Sequence, residues 1–303
     1  FSDLFGNLLG VSIVLLCWNN WKYTQRCIES VLKNSNYDNY ELIIVNNCSQ
    51  DETREELQFY NDMFEFIKVI NNDKNYGFAK GMNIGSLHVK YDYIILLNND
   101  TVVSKNWLYP LVKPLILNSN YTCGSPITNN CGNEAKQFIY FENIIDLFEK
   151  AEILQFNSLY KCVDASRVPF FSPVLRKNDF YSVGMLSEEY KVGGWEDDDL
   201  MEKLKKFNKN SINFFTYGSF VYHMESLSMN QTVSNNTSWT KQNNNKNIFE
   251  KKWEKKWVPH LYHLPTLKVR TDTKNMYINQ LLQLKYQGSQ IFEEDMNGMR
   301  LQL

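Results

Sequence analysis

Tyr93-Ile94-Ile95-Leu96-Leu97-Asn98-Asn99-Asp100-Thr101 is an apolar run that stops abruptly against four polar side chains. The apolar part is too short for a helix and carries no alternation, which predicts a strand buried on both faces. Asn and Asp favour turns on their own account, so the polar part reads first as a turn. It also carries a second reading, because an aspartate at the carboxyl end of a parallel strand can bind a hard cation through oxygen. The residues around it decide which context applies. Towards the N-terminus, Val11 to Cys17, Leu42 to Val45 and Phe66 to Ile70 repeat the short buried-strand pattern. Helical stretches separate them. One places Cys27, Ile28, Val31 and Leu32 on one face, one starts at Glu52 and Thr53 with Asp51 as its N-cap, and one runs from Ala79 to Val89. Strands alternating with helices in this way predict an α/β fold of βαβ units, a mixed and mostly parallel sheet flanked by helices. Ligands of such sheets bind beyond the carboxyl ends of the strands, which directs attention to the loops after Cys17, Val45 and Leu97.

The second half is less regular. Pro110 and Pro114 are expected to break or kink a helix after Ser104. Residues 121–135 read as strand and loop, 141–160 as helix, and Phe170 to Leu175 as strand. Glu196 to Phe207 is predicted as a helix with Leu200, Leu204 and Phe207 on one face, and Ile212 to His223 as an aromatic strand. The polar stretch Asn230 to Asn247 reads as a mobile loop. Residues 1–258 form the expected domain. Residues 259–303, with Met276, Ile278, Leu281, Leu282 and Leu284, read as a C-terminal extension that docks on the domain or forms a homo-oligomer contact.

Composition narrows the function. The 303 residues are 43% hydrophobic and 22% charged, ordinary values that allow one large domain with an appendage. A net charge of −2 argues against a nucleic-acid partner, which would call for a strong basic excess. Lys251, Lys252, Lys255 and Lys256 read as a solvated helix face. Six cysteines, with no C-x-x-C among them, fit free thiols in a reducing compartment, hence a cytoplasmic location or one peripheral to a membrane. No stretch approaches the ~20 apolar residues of a transmembrane helix.

Three further stretches carry chemistry. Gly193-Gly194-Trp195-Glu196-Asp197-Asp198-Asp199-Leu200 crowds four carboxylates at a helix start. Acidic side chains suit that end of a helix, but four exceed what capping needs. Their repulsion is expected to raise at least one pKa, as a general base requires. His223 closes an aromatic strand a short way on, and an imidazole would complete an oxygen-rich metal site. Asn75-Tyr76-Gly77-Phe78-Ala79-Lys80-Gly81-Met82-Asn83-Ile84-Gly85 precedes and enters a helix, where small residues allow close backbone approach to a ligand and a helix N-terminus attracts phosphate. Glycine positions for helix packing are the plainer reading.

In order, the strand ending Cys17-Trp18-Asn19, Val45-Asn46-Asn47-Cys48-Ser49-Gln50-Asp51, NYGFAKGMNIG, LLNNDT, GGWEDDDL and the strand ending in His223 resemble the inverting glycosyltransferases of family 2, with the GT-A fold. The likeness is closest to the rhamnosyltransferase-like branch and covers about residues 10 to 225. It implies transfer of a hexosyl or deoxyhexosyl group from a UDP-, dTDP- or GDP-linked donor to a hydroxyl of a glycan or other acceptor. It implies Mn²⁺ or Mg²⁺ on Asp100 and His223, with Asn98 standing where the family usually has Asp. It places the base in Glu196-Asp197, with Asp197 as the base itself. Cys17, Trp18, Asn19, Asn46, Asp51, Gly77, Phe78, Asn83, Asn98 and Asn99 match donor-binding positions. Asn46 replaces the family's base-reading Asp, and Cys17 replaces a common Thr. Trp195 is placed to pack on an acceptor sugar, with a core role as the alternative. Two other functions compete. A sugar-phosphate nucleotidyltransferase would need a glycine-rich basic loop after the first strand, and Cys17-Trp18-Asn19-Asn20-Trp21 offers none. A catalytically weak sugar-binding module is compatible with Asn98, while an intact Glu196-Asp197 and His223 argue against it.

Overall fold

The computed structural model describes residues 10–35, 39–137, 139–158, 161–190, 194–224 and 238–258, the side chains of 238–243 excepted. Strand β1 (Val11–Cys17) lies near the centre of the sheet. It pairs in parallel with β2 (Tyr40–Asn46) on one side and β4 (Tyr93–Asn98) on the other, and β3 (Ile67–Asn71) extends β2 in parallel. Val14, Leu15, Ile43, Ile44, Leu96 and Leu97 have no exposed surface, because helices cover both faces. Helices α1 (Trp21–Asn34), α2 (Thr53–Met63) and α4 (Leu108–Leu117) supply one cover, packing Ile28, Leu57 and Leu111 against Ile13, Leu42 and Ile95. Helices α3 (Phe78–Ser86), α6 (Lys177–Ser182) and α7 (Glu196–Phe207) supply the other, packing Met82, Phe180 and Leu200 against Val14, Val45 and Leu96. The glycines of α3 let it approach closely. A Cβ on Gly85 would stand 2.4 Å from Val14 Cγ1, and one on Gly81 2.5 Å from Leu16 Cδ1. Those glycines are therefore packing positions.

The second half completes the sheet with antiparallel pairs. Strand β8 (Val174–Arg176) lies antiparallel between β4 and β6 (Tyr121–Ile127), and β9 (Ile212–His223) joins β6 in parallel. The first half of β9 also takes β7 (Cys162–Ala165), antiparallel. Its last three residues take β5 (Thr101–Val103), pairing Thr101 with His223. Helix α5 (Ile144–Asn157) packs Leu147 and Ala151 onto Phe215 and Phe220 of β9. Its N-cap Asn143 accepts the Ile145 and Asp146 N–H groups at 3.0 Å.

Several expectations are corrected. Helix α4 runs through both prolines: Pro110 sits in the first turn, where no helical partner awaits an N–H, and Pro114 is carried inside the helix. The strand expected at Phe170 to Leu175 is shorter and shifted, at Val174–Arg176. Of the polar stretch read as a loop, Ser238 onward forms helix α8 (Ser238–Trp253). Residues 225–237 and the extension 259–303 lie outside the described residues. The lysine cluster is not wholly a solvated face. Lys252 reaches Asp199 at 2.8 Å and Glu189 at 2.6 Å, and Lys255 pairs with Glu202, which fastens α8 to the far side of α7. Asp51 bonds the Thr53 N–H at 3.2 Å, yet the N-cap position itself is Glu52. All six cysteines are free.

Candidate active site

Strands β1, β2, β4, β6 and β9 run in one direction, so their carboxyl ends share one edge of the sheet. Helix α7 leads into the start of β9 and therefore begins at that same edge. Backbone in the left-handed region gathers there, at Asn19, Asn20, Cys48, Gly77, Gly194 and Trp195. Such conformations are unfavourable for side-chain-bearing residues and cluster where loops must take a set shape.

Hydrogen bonds tie the loops after β1 and β2 together. Asn19 accepts the Gln50 N–H at 2.7 Å and donates its own N–H to Ser49 Oγ at 2.8 Å. Asp51 accepts from Trp21 N–H, at the start of α1, as well as from Thr53. Asn19, Asn20, Trp21, Tyr23, Gln50 and Asp51 line an open depression between these helix starts. Cys17 is buried at the strand end, where burial pushes its thiol far above the ordinary range. Trp18 beside it is partly exposed. Asn46 is buried and bonds within the protein, to Asn71 Oδ1 at 2.8 Å and to the Ser49 N–H at 2.9 Å. Its neighbour Asn47, which sequence reasoning passed over, shapes the next loop. Asn47 donates to Asn75 Oδ1 and to the Gly77 carbonyl, and it accepts from Asn72 and from the Tyr76 N–H. The repeated Asn at strand ends was the signal that could have found it. Gly77, at φ 79°, then starts α3, with Phe78 packed into the core beneath. Asn83 is buried and engaged within the protein. It grips the Leu186 N–H and carbonyl at 3.0 and 2.9 Å, anchoring the segment that leads to α7.

Asp100 and His223 meet because β5 pairs with the end of β9. The Met224 N–H bonds the Asp100 carbonyl at 2.8 Å, and His223 Nε2 lies 3.5 Å from Asp100 Oδ1. The imidazole is oriented from behind. Nδ1 lies 3.0 Å from the Asn130 carbonyl, which can only accept, so Nδ1 carries a proton and Nε2 is the ring nitrogen turned towards Asp100. Phe171 stacks on the ring at 5.3 Å. Asn98, at the end of β4, has a buried Oδ1 with no hydrogen-bond partner, and Asn99 donates to Thr24 Oγ1 at 3.0 Å. A carboxylate and an imidazole nitrogen this close suit a divalent cation with a preference for oxygen. Among the described residues no set of three His, Cys, Asp or Glu gathers. The protein thus offers two strong donors and leaves the remaining positions to ligand oxygens or water.

The four carboxylates of α7 have separate fates. Asp199 is fully buried, bonded by Trp253 Nε1 at 2.9 Å, Lys252 Nζ and the Ser187 hydroxyl, and fixes α8. Asp198 pairs with Arg167 Nε at 3.1 Å and accepts from Trp257 Nε1. Glu196 is buried with Oε2 unpartnered. Burial, then the charge of Asp197, pushes its carboxyl up. Asp197 keeps part of its surface open and accepts the Asp198 N–H at 2.8 Å. Burial, then the charge of Asp198, raises its carboxyl as well. Trp195 sets the turn at φ 74°, its ring lies edge-on to Trp257 at 5.3 Å, and its Nε1 is buried without a partner.

The sequence model of glycosyl transferase family 2 matches residues 12–177, more than half of the chain. The chain belongs to glycosyltransferase family 2. Family 2 membership accords with its relatives. An uncharacterized glycosyltransferase of Haemophilus influenzae is 30% identical over 112 residues, 37% of this chain and 34% of that protein. The poly-β-1,6-N-acetyl-D-glucosamine synthase of Staphylococcus aureus is 24% identical over 197 residues, 65% of this chain and 44% of that protein. This family 2 chain thus spans less than half the length of these relatives. The fold is GT-A. The structure of GalNAc-T7 with UDP, GalNAc and Mn²⁺ aligns over 72% of this chain and 44% of that one, with a TM-score of 0.57 at 20% identity. A Pyrobaculum calidifontis mannosyltransferase with GDP-mannose and Mn²⁺ aligns over 82% of this chain and 65% of that one, with a TM-score of 0.54 at 10% identity.

Proposed function

We propose that this family 2 chain transfers a hexosyl or deoxyhexosyl group, with inversion, from a nucleotide-sugar to a hydroxyl of a glycan or other acceptor. The observation that carries the proposal is the convergence of Asp100 and His223 at 3.5 Å, at the sheet edge where α7 begins with Asp197 partly open. Asp100 and His223 would hold Mn²⁺ or Mg²⁺, the former being the ion bound in both solved neighbours named above. When bound, such a cation neutralises the charge that grows on a leaving diphosphate. The β1 and β2 loops, Gly77 and the α3 N-terminus would cradle the nucleotide, UDP-, dTDP- or GDP-linked. The likeness to the rhamnosyltransferase-like branch supports a deoxyhexose among the donors to be tried.

Asp197 takes the proton of the acceptor hydroxyl as its oxygen attacks the anomeric carbon. A carbon–oxygen bond forms on the face opposite the diphosphate as the bond to the diphosphate breaks, so one displacement inverts the anomeric configuration. A raised carboxyl pKa suits this step, because a base that holds protons more strongly removes one more readily. The test is a thermal-shift screen against UDP-, dTDP- and GDP-sugars, each with and without Mn²⁺. Stabilisation by one nucleotide class that requires the metal, and that disappears in His223→Ala, is expected. A nucleotide shift indifferent to both metal and His223 would overturn the metal site.

A further inference from the structure

The carboxylate beside the proposed base has its own set of partners, supplied from outside α7. Asp198 forms an ion pair with Arg167 Nε at 3.1 Å and is largely buried, its side chain 12% exposed. Trp257 Nε1 donates to its other oxygen. Arg167 is held in turn. Its guanidinium carbon lies 5.1 Å from the centre of the Trp257 ring, and Nη2 donates to the Val258 carbonyl at 2.6 Å. Trp257 itself is fixed through its N–H to Glu250 Oε1 at 2.9 Å, and its ring meets Trp195. Arg167, Trp257 and Asp198 therefore form a closed triangle that joins the loop after β7, the segment after α8 and the first turn of α7.

Resting on the reading of Asp197 as the base, we infer that Arg167 and Trp257 are positioning residues: Arg167 neutralises Asp198, and with Trp257 it holds the first turn of α7 so that Asp197 can both ionise and face its substrate. The arrangement answers a physical problem. Two adjacent carboxylates in a poorly solvated place oppose each other's ionisation, and a base that stays protonated cannot work. Asp198 is one of the charges that raise Asp197, and Arg167 is the one that lowers it. Among the described residues, the other titratable groups near Asp197 are Glu196 on its own helix and the buried Cys123 thiol of β6, neither a cation. Lys252 and Lys203 are engaged with Asp199. Arg167 is thus the counter-charge for the pair among the described residues, and the Trp257 N–H and ring keep it in place. An arginine suits the role because its planar guanidinium stacks on an aromatic ring while bonding a carboxylate.

The experiment titrates the 303-residue chain labelled with ¹³C at the aspartate carboxyls, following Asp197 in the wild type and in Arg167→Gln, Arg167→Lys, Trp257→Phe and Asp198→Asn. Asp197→Asn assigns the signal, and no substrate is needed. In Arg167→Gln the Asp197 midpoint should rise by about one pH unit, and Arg167→Lys should restore most of it. Trp257→Phe keeps an aromatic face for Arg167, loses the indole N–H, and should give a smaller rise. Asp198→Asn removes the like charge and leaves Arg167 facing Asp197, so the midpoint should fall. Opposite signs from two halves of one ion pair are not what a general loosening of the fold produces. Midpoints unmoved in Arg167→Gln and Asp198→Asn, in variants whose melting shows them folded, would overturn the inference. Nucleoside diphosphate release from the UDP-, dTDP- and GDP-sugars with Mn²⁺ is measured on the same proteins. Full release by Asp197→Asn would overturn the base instead, so the two failures are told apart.

Discussion

Burial raises the Asp197 carboxyl to about 6, and the charge of Asp198 adds to the shift. A carboxyl whose folded-state pKa stands above its unfolded value keeps a proton that the unfolded chain has already released. Stability is therefore lost as pH rises from the ordinary carboxylate range through about 6, and above that the ionised Asp197 weighs against folding. Asp197→Asn removes that burden. It should melt higher than the wild type at pH 7.5 and less so at pH 4.5, while transfer is lost. Wild-type transfer by this variant would remove Asp197 from the base role, and a lower melting temperature at pH 7.5 would contradict the account of its burial. The residues of this site were unevenly legible. Asp100, His223 and the acidic run could be picked out because each ends or starts an element whose pattern is clear. Arg167 and Trp257 could not, because each acts across the fold and no local spacing marks it. Asn47 was passed over for Asn46, since only the structure shows which of two adjacent amides turns towards the next loop.

Helix α3 shows at the level of the element why composition and packing disagree. Three glycines in or beside a nine-residue helix lower its intrinsic stability, because glycine costs about 1 kcal/mol relative to alanine in a helix. The sheet beneath explains them. A Cβ at Gly85 would meet Val14 Cγ1 at 2.4 Å and Val45 Cγ2 at 2.7 Å, and β-branched side chains in a full core have little room to turn away. Gly85→Ala should therefore destabilise the protein despite its better helix propensity, by about 1–3 kcal/mol in urea unfolding. A gain in stability would mean that α3 can lift off the sheet at no cost. The same competition set what the sequence revealed of the elements. Strands β1, β2, β4 and β9 were legible because burial on both faces leaves a dense apolar run. Strands β5 and β7 are three and four residues long, and their pairing with β9 is decided by the rest of the fold. Helix α8 as far as Asn247 reads as a loop because its asparagines and lysines carry no apolar periodicity. What fixes it is tertiary, chiefly the grip of Lys252 and Trp253 on Asp199.

That grip bears on where the domain ends. Burial alone would raise the Asp199 carboxyl, but Lys252, Ser187 and Trp253 hold it below the usual carboxylate range. Its folded-state pKa is depressed, so it adds stability above its unfolded value, and that stability is lost as pH falls through the folded value. Two of those three partners lie on α8, beyond the strand His223 closes. A chain ended after residue 237 would keep Asp199 at the heart of the α7 packing with, among the described residues, only Ser187, Tyr190 and Lys203 beside it. An insufficiently paired buried charge costs about 3–5 kcal/mol, so this truncation should lower the melting temperature markedly at pH 7. The deficit should shrink on acidification, because an Asp199 stripped of its donors takes up a proton more readily in the folded state than in the unfolded one, which favours folding as pH falls. A chain ended after residue 258 keeps Lys252, Trp253 and Trp257, and should melt with the 303-residue protein. Equal melting of the 237-residue chain would show that α8 adds nothing to the domain. A destabilised 258-residue chain would move the boundary into residues 259–303. If both expectations hold, α8 and the residues up to 258 belong to the catalytic unit itself, because the ties that secure Asp199 adjoin those that set Asp198 against Asp197.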